Sequence, residues 1–180
     1  MAPAFGFAWR QVRRRGRSTG VKLRSPETSF LGSHINKIDL KGRVAAPADF
    51  RRALEGDPIR GFYCLPSLRG PFLECGGGDL ISFFKEMISE LPPFDEDREV
   101  LEAHLLGEVR SLAFDTEGRV VIPESLRVHA NLSERALFQG RGETFWILNA
   151  EGAAERLASG RERAKAALQR LRNPNSGGAA

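Results

Sequence analysis

Asp39 and Arg43 stand four residues apart with Gly42 between them, and Asp115, Gly118 and Arg119 repeat the arrangement. The match runs further. Asp39-Leu-Lys-Gly42-Arg43-Val44-Ala-Ala-Pro47-Ala-Asp-Phe50-Arg51 aligns without a gap with Asp115-Thr-Glu-Gly118-Arg119-Val120-Val-Ile-Pro123-Glu-Ser-Leu126-Arg127. The period between the copies is too wide for solenoid stacking and reads as two copies of one small unit. A carboxylate and a guanidinium at this spacing support two chemistries. They can close on each other as an ion pair that locks a turn, a role open to Asp39, Asp115 and Arg119 and, as the alternative, to Arg43. Or the guanidinium can turn outward and offer its planar fork to a phosphate or to guanine's two acceptors. Neither string sets a nucleophile beside a base, so the repeat displays arginine and does not perform catalysis.

The remaining chemistry-bearing residues make no recognisable site. His34, His104, His129, Cys64 and Cys75 match no metal-ligand spacing, and the cysteines fall in apolar stretches that suit packing better than nucleophilic attack. Gly76-Gly-Gly78 precedes a helical pattern but lacks the Gly-Lys-Ser/Thr of a phosphate loop, so it reads as a linker. No enzyme activity, metal, cofactor or small-molecule substrate is expected.

The turns must be held by the elements around them. Phe30 to Asp39 mixes apolar and polar residues as a strand does, Asp39 to Gly42 has hairpin-turn chemistry, and Arg43 to Ala46 reads as the return strand. Pro47 suits the start of a short helix anchored by Phe50 and Leu54; Pro123, Leu126 and Ala130 repeat this. Ile59–Leu65 and Phe72–Cys75 read as two strands. Asp79 is placed to cap a helix whose face is Leu80, Phe83, Phe84, Met87, Ile88 and Leu91, ended by Pro92-Pro93. A second helix from Asp95 to Leu106 is expected to bury Val100, Leu101 and Leu105. Ala136–Gln139 and Thr144–Leu148 read as a closing hairpin, and Leu157, Ala164, Leu168 and Leu171 mark a last amphipathic helix. The resulting division is a basic disordered extension over 1–28, a first repeat over 29–78, connecting helices over 79–106, a second repeat over 107–150, a C-terminal helix over 151–172 and a loose tail over 173–180.

The chain carries 27 Lys/Arg against 23 Asp/Glu, but the charge is unevenly spread. Seven of those cations, and no acid, lie in residues 1–26, while residues 27–150 hold 14 basic and 20 acidic residues. A uniformly cationic body is excluded; a polyanion must be held by a local patch, by the tails or by several copies together. An acid-free, Arg-rich start has three readings: a transit peptide, a basic arm, or translation assigned from an upstream start. With no apolar stretch of about 20 residues no membrane span is expected, and two cysteines without CxxC spacing suit a reducing cytosol.

Asn36-Lys-Ile-Asp39-Leu-Lys-Gly42-Arg43-Val and Asp115-Thr-Glu-Gly118-Arg119-Val-Val-Ile-Pro123 resemble the paired Asp-x-x-x-Arg signatures of the MraZ family, bacterial members of the AbrB/SpoVT swapped-hairpin group. The resemblance spans about Phe30 to Ala158; where many members carry Tyr-Pro and a downstream Trp, this chain has Glu74-Cys-Gly-Gly-Gly-Asp. It implies an α+β, mainly β fold: a double-split β-barrel of two interleaved AbrB/SpoVT-like repeats, with helices between and after them. It also implies a nucleoid-associated transcriptional regulator that assembles as a ring-like homo-oligomer and binds double-stranded DNA at direct repeats upstream of the division and cell-wall gene cluster. The antitoxins of the same group offer a rival, a module whose main partner is another polypeptide.

The two tips differ. Leu40-Lys41, preceded by Lys37, is cationic, whereas Thr116-Glu117 would set a carboxylate against phosphate at a cost of about 1–4 kcal/mol depending on dielectric. The first tip is therefore the expected DNA face, with Arg43 reading or anchoring and Lys41 and Lys37 on phosphate. Asp39, Gly42, Asp115, Gly118 and Arg119 are expected to structure the turns, with Arg119 pairing a carboxylate. Arg51 and Arg52 are expected to be solvated, a phosphate contact being their second reading. The basic C-terminal helix reads as a solvated face, a subunit contact or an auxiliary DNA contact.

Overall fold

A computed structural model describes residues 25–172. Its strands are β1 (Ser33–Lys37), β2 (Arg43–Ala45), β3 (Gly61–Pro66), β4 (Leu73–Gly76), β5 (Arg110–Ala113), β6 (Arg119–Val121), β7 (Arg135–Gly140) and β8 (Phe145–Asn149). Its helices are α1 (Ala48–Ala53), α2 (Gly78–Ser89), α3 (Glu96–Leu101), α4 (Glu124–His129) and α5 (Ala150–Arg172).

The strands form an antiparallel six-stranded sheet in the order β1-β7-β8-β4-β3-β5 and a separate β2-β6 ribbon. The order is palindromic once each strand is matched to its equivalent in the other half. β1 pairs β7 as β5 pairs β3, while β2 meets β6 and β4 meets β8, each strand facing its own counterpart. Only β3–β4 and β7–β8 are ladders within one half. This corrects the reading of a simple first hairpin. After the turn, the link back is one isolated Ile38–Val44 bridge just past β1 and a bond from Asn36 Nδ2 to the Ala45 carbonyl at 2.7 Å, while the β2 ladder is spent on β6.

Alternation with period two gives the sheet two buried faces. The inner face, with Phe62, Cys64, Leu73, Cys75, Phe138, Phe145 and Ile147, packs on Phe30, Phe50 and the apolar residues of the ribbon. The Phe30 ring lies 5.4 Å from Phe50 and 4.9 Å from Phe145, and Phe50 lies 5.1 Å from Phe145. These are the tilted and edge-on geometries that aromatic quadrupoles favour. The outer face is covered twice. Leu80, Phe83, Phe84 and Ile88 of α2, with Leu105, cover Leu65, and the start of α5 with Phe72 covers Leu137 and Leu148.

The structure departs from the sequence expectations at several points. Pro26–Thr28, expected within the disordered extension, forms one 3₁₀ turn: Pro26 sets φ, and the Ser25 carbonyl accepts from Thr28 N and Ser29 Oγ. The rest of that extension, residues 1–24, and the tail over 173–180 lie outside the described residues. Asp79 does not cap α2. Gly77 stands at the N-cap, and Asp57 reaches in from the β3 side to accept from Gly78 N at 3.1 Å. Asp95 caps α3 by accepting from Asp97 N at 2.9 Å. Val100 is 56% exposed, not buried. The helix α3 touches the core through Leu101 and then widens into a π turn over Glu102–Leu106 that brings Leu105 inward. Beyond Ala153, α5 leaves the sheet, and Leu157, Leu168 and Leu171 are exposed.

Candidate nucleic-acid interface

Each turn is built from its aspartate. Asp39 Oδ1 accepts from Lys41 N (2.8 Å) and Arg43 N (2.9 Å), and Oδ2 accepts from Arg43 Nε at 2.6 Å. Asp115 repeats this, accepting from Glu117 N and Arg119 N at 2.9 Å and from Arg119 Nε at 2.8 Å. Glycine follows because φ is 75° at Gly42 and 73° at Gly118. That left-handed region costs other residues about 1–2 kcal/mol. The backbone amide of Arg43 is the leading cause that holds the Asp39 carboxyl below its ordinary value, and the Arg119 amide does the same for Asp115. Asp115 in turn raises the Arg119 pKa, with Glu117 and Asp39 adding to it.

The ribbon sets the two turns side by side. Ala46 N donates to the Gly118 carbonyl at 3.0 Å, and Ile122 N to the Gly42 carbonyl at 2.9 Å, so each half holds the other's turn. Beneath them lie the helix arginines. Arg51 is half-buried, donating from Nη1 to the Ala46 carbonyl at 2.9 Å, which corrects the expectation that it is solvated. Its position inside the repeat, not its charge, puts it there. Arg127 occupies the matching place against Gly42. Arg52 is exposed and paired with Asp49 at 3.1 Å.

The tips diverge in charge as well as sequence. Leu40 is fully exposed, Lys41 and Lys37 are exposed, and neither lysine meets a carboxylate within ion-pair distance among the described residues. The Arg43 side chain keeps 36% exposure while paired with Asp39. Arg119 keeps 29% and is held twice, by Asp115 at 2.8 Å and by Glu117 at 2.7 Å. Beside the second turn a groove of about 600 Å³ runs from the end of α1, lined by Glu55, Asp57, Asp115 and Glu117 against Arg51 and Arg60. That side is acidic.

The histidines and cysteines remain dispersed. Cys64 and Cys75 are free thiols facing each other across β3 and β4 at 3.3 Å, and burial raises the Cys75 pKa well above its ordinary value. His34 stacks edge-on to Phe50, His104 meets Glu108, and the described residues hold no cluster able to bind a metal. No helix among them is long and apolar enough to cross a membrane.

A relative from Gluconobacter oxydans is 42% identical over 156 residues, covering 84% of this chain and 93% of its own length. The chain belongs to the MraZ family. The MraZ protein of Xanthobacter autotrophicus is 38% identical over 151 residues, covering 82% of this chain and 96% of its own, and that of Rickettsia akari is 36% identical over 146, covering 81% and 98%. All three relatives are named transcriptional regulators. A family model for the MraZ protein, described as antitoxin-like, matches residues 105–151.

Two residues of this MraZ chain escape sequence reasoning. Arg127 closes the second repeat, and its equivalence to Arg51 is the available signal. Arg135 stands directly opposite Lys37 in the β1–β7 register and is exposed. Like charges face to face across strands repel, and only the pairing of the two halves brings these together.

Proposed function

We propose that the protein is a sequence-specific DNA-binding transcriptional regulator acting through the first turn. Arg43 reads or anchors, Lys41 and Lys37 hold phosphate, and Arg135 joins them. Asp39, Gly42, Asp115, Gly118 and Arg119 shape the turns, and Arg51 braces them, while Arg52, exposed beside its Asp49 partner, can exchange that carboxylate for a phosphate. The observation that carries the reading is the charge contrast between two turns of nearly identical backbone. One tip offers unpaired lysines around an exposed Leu40, and the other offers Glu117 and an acidic groove. A two-stranded ribbon fits the major groove of B-DNA, and its tip can then reach base edges.

The palindromic sheet and the β2–β6 ribbon around one apolar core support closure as a double-split β-barrel of interleaved AbrB/SpoVT-like repeats. One tip makes few contacts, and non-specific binding by such a module is weak, roughly 10⁻⁴ to 10⁻⁶ M. A ring-like homo-oligomer multiplies tips, and head-to-tail subunits suit direct repeats better than palindromes. The relatives' printed names support regulation of transcription, and the place of action is the cytoplasmic nucleoid. The antitoxin-like description of the family model favours one rival, a module whose main partner is another polypeptide.

The test is binding to the duplex just upstream of the gene, beside a scrambled duplex of equal length. Arg43→Ala should lower operator affinity by about tenfold or more, the scale of a bidentate base contact. Lys41→Ala should weaken both duplexes and reduce the salt slope by about one. If both variants bind like the parent, the DNA face lies elsewhere. A monomer in light scattering would remove the avidity argument.

A further inference from the structure

On the outer face of the sheet, in the cluster under the start of α5, the Phe72 and Trp146 rings meet at 4.5 Å. Three arginines from three separate segments converge on them. Arg141, in the β7–β8 loop, lies 3.8 Å over Trp146; Arg69, in the β3–β4 loop, lies 5.2 Å from Trp146 and 5.7 Å from Phe72; Arg156 of α5 lies 5.0 Å over Phe72. A stacked guanidinium has its plane satisfied by the ring while its N–H edges remain available for anionic oxygens.

Among the described residues, Arg141 and Arg156 add positive charge beside the Arg69–Glu74 pair. Arg69 Nη2 pairs with Glu74 at 3.1 Å, and Glu74 also accepts from Ser67 Oγ. Arg141 and Arg156 meet no carboxylate within ion-pair distance among the described residues. Arg141 is exposed as a whole, yet its guanidinium end is desolvated against Trp146. That burial lowers its pKa, the neighbouring Arg69 charge adds to the effect, and Glu74 opposes it. From Arg156 the helix runs outward, and the exposed Arg163 and Arg170, seven and fourteen residues on, share its face, while the equally exposed Arg161 and Lys165 lie on the opposite one. At the rise of an α-helix this extends the cationic line by about 20 Å. Among the described residues only Lys165 of these four is paired, with Glu162.

Resting on the DNA-binding reading above, we propose that Arg69, Arg141 and Arg156, with the outer half of α5, form a second contact for the DNA backbone. It is independent of base sequence and separate from the turns. A stacked row of guanidiniums continued along an exposed helix suits an extended polyanion, since phosphates recur along the duplex and each needs only a donor edge. The turn supplies discrimination and this track supplies holding.

The experiment uses the full chain, a labelled operator duplex and a scrambled duplex of equal length, with affinity followed against salt. Arg141→Gln/Arg156→Gln should weaken both duplexes alike and reduce the salt slope by about two, one phosphate contact for each arginine. Arg141→Lys/Arg156→Lys should recover most of that slope, because it restores charge without the stacked plane. An unchanged slope in the glutamine variant overturns the proposal. So does a change in the size of the DNA-free assembly with the slope intact, which would assign the patch to an acidic surface of another subunit. A glutamine variant that melts early while the lysine variant melts early too, both keeping the parental slope, reduces the arginines to a clip holding α5. The two readings fail separately: Arg43→Ala is judged on the operator-to-scrambled ratio, the arginine pair on the slope common to both.

Discussion

Arg51 and Gly118 belong to opposite halves, yet the arginine lies so close beneath the glycine that a Cβ there would collide with its guanidinium. Arg127 and Gly42 form the mirror pair, with a looser fit of 3.2 Å from the same virtual carbon to Arg127 Nε. The pairs differ in bonding. Arg51 Nη1 donates to the Ala46 carbonyl, whereas Arg127 Nε is buried without a hydrogen-bond partner among the described residues. Arg51→Ala should therefore cost about 1.5–3 kcal/mol in urea unfolding, the range for a hydrogen bond from a charged donor, and Arg127→Ala clearly less. Equal losses would mean that the asymmetry in bonding carries no stability.

Acid should loosen both turns. Asp39 and Asp115 have folded-state pKa values below the ordinary 3.8, caused first by the amides of Arg43 and Arg119. With a lowered folded pKa the unfolded chain takes up protons first. The stabilisation is then complete above 3.8 and is lost as pH falls through the folded-state values. The melting temperature of the parent should fall across that acid window, and Asp39→Asn/Asp115→Asn should flatten this part of the fall. A variant curve parallel to the parent's there would remove the aspartates from the acid response.

Glu117 is the residue that separates the tips. Its carboxylate is 65% exposed and pairs with Arg119. Exposed pairs of this kind contribute little, so Glu117→Lys should alter unfolding by less than about 1 kcal/mol. On a scrambled duplex the same variant should bind more tightly with a steeper salt dependence. A stable variant with unchanged binding would show that the second tip never nears DNA.

Phe50 and Phe94 give opposite core predictions. Phe50 is 1% exposed among Phe30, Phe138 and Phe145. Its replacement by Ala should cost about 3–5 kcal/mol. Phe94 is 96% exposed with φ at 74°. Phe94→Gly should therefore hold or raise stability by relieving a left-handed conformation. Thermal melts of the two variants decide both.

The repeat makes the turns legible, because an aspartate, a glycine and an arginine at fixed spacing constrain local backbone directly. The short helices after Pro47 and Pro123 are legible for the same reason, and the Ala136–Leu148 hairpin from two short apolar runs close together in sequence. What escapes depends on partners distant in sequence. The choice of β6 over β1 by β2, the place of Arg51 beneath Gly118, and the facing of Lys37 by Arg135 all arise from pairing between halves, which no local period encodes. Val100 escapes because its neighbour Leu101 takes the core-facing side with Leu105, leaving Val100 about 100° around the helix.

The palindromic strand order also sets a schedule for synthesis. β1 emerges first from the ribosome, but its partner β7 begins only at Arg135, and β2 waits for β6 at Arg119. Until then only the β3–β4 ladder and, once Ala113 is out, the β3–β5 ladder are within reach, and the growing chain carries bare backbone donors that invite wrong neighbours. A premature stop codon anywhere before the last hairpin thus leaves a sticky fragment, not a smaller working protein.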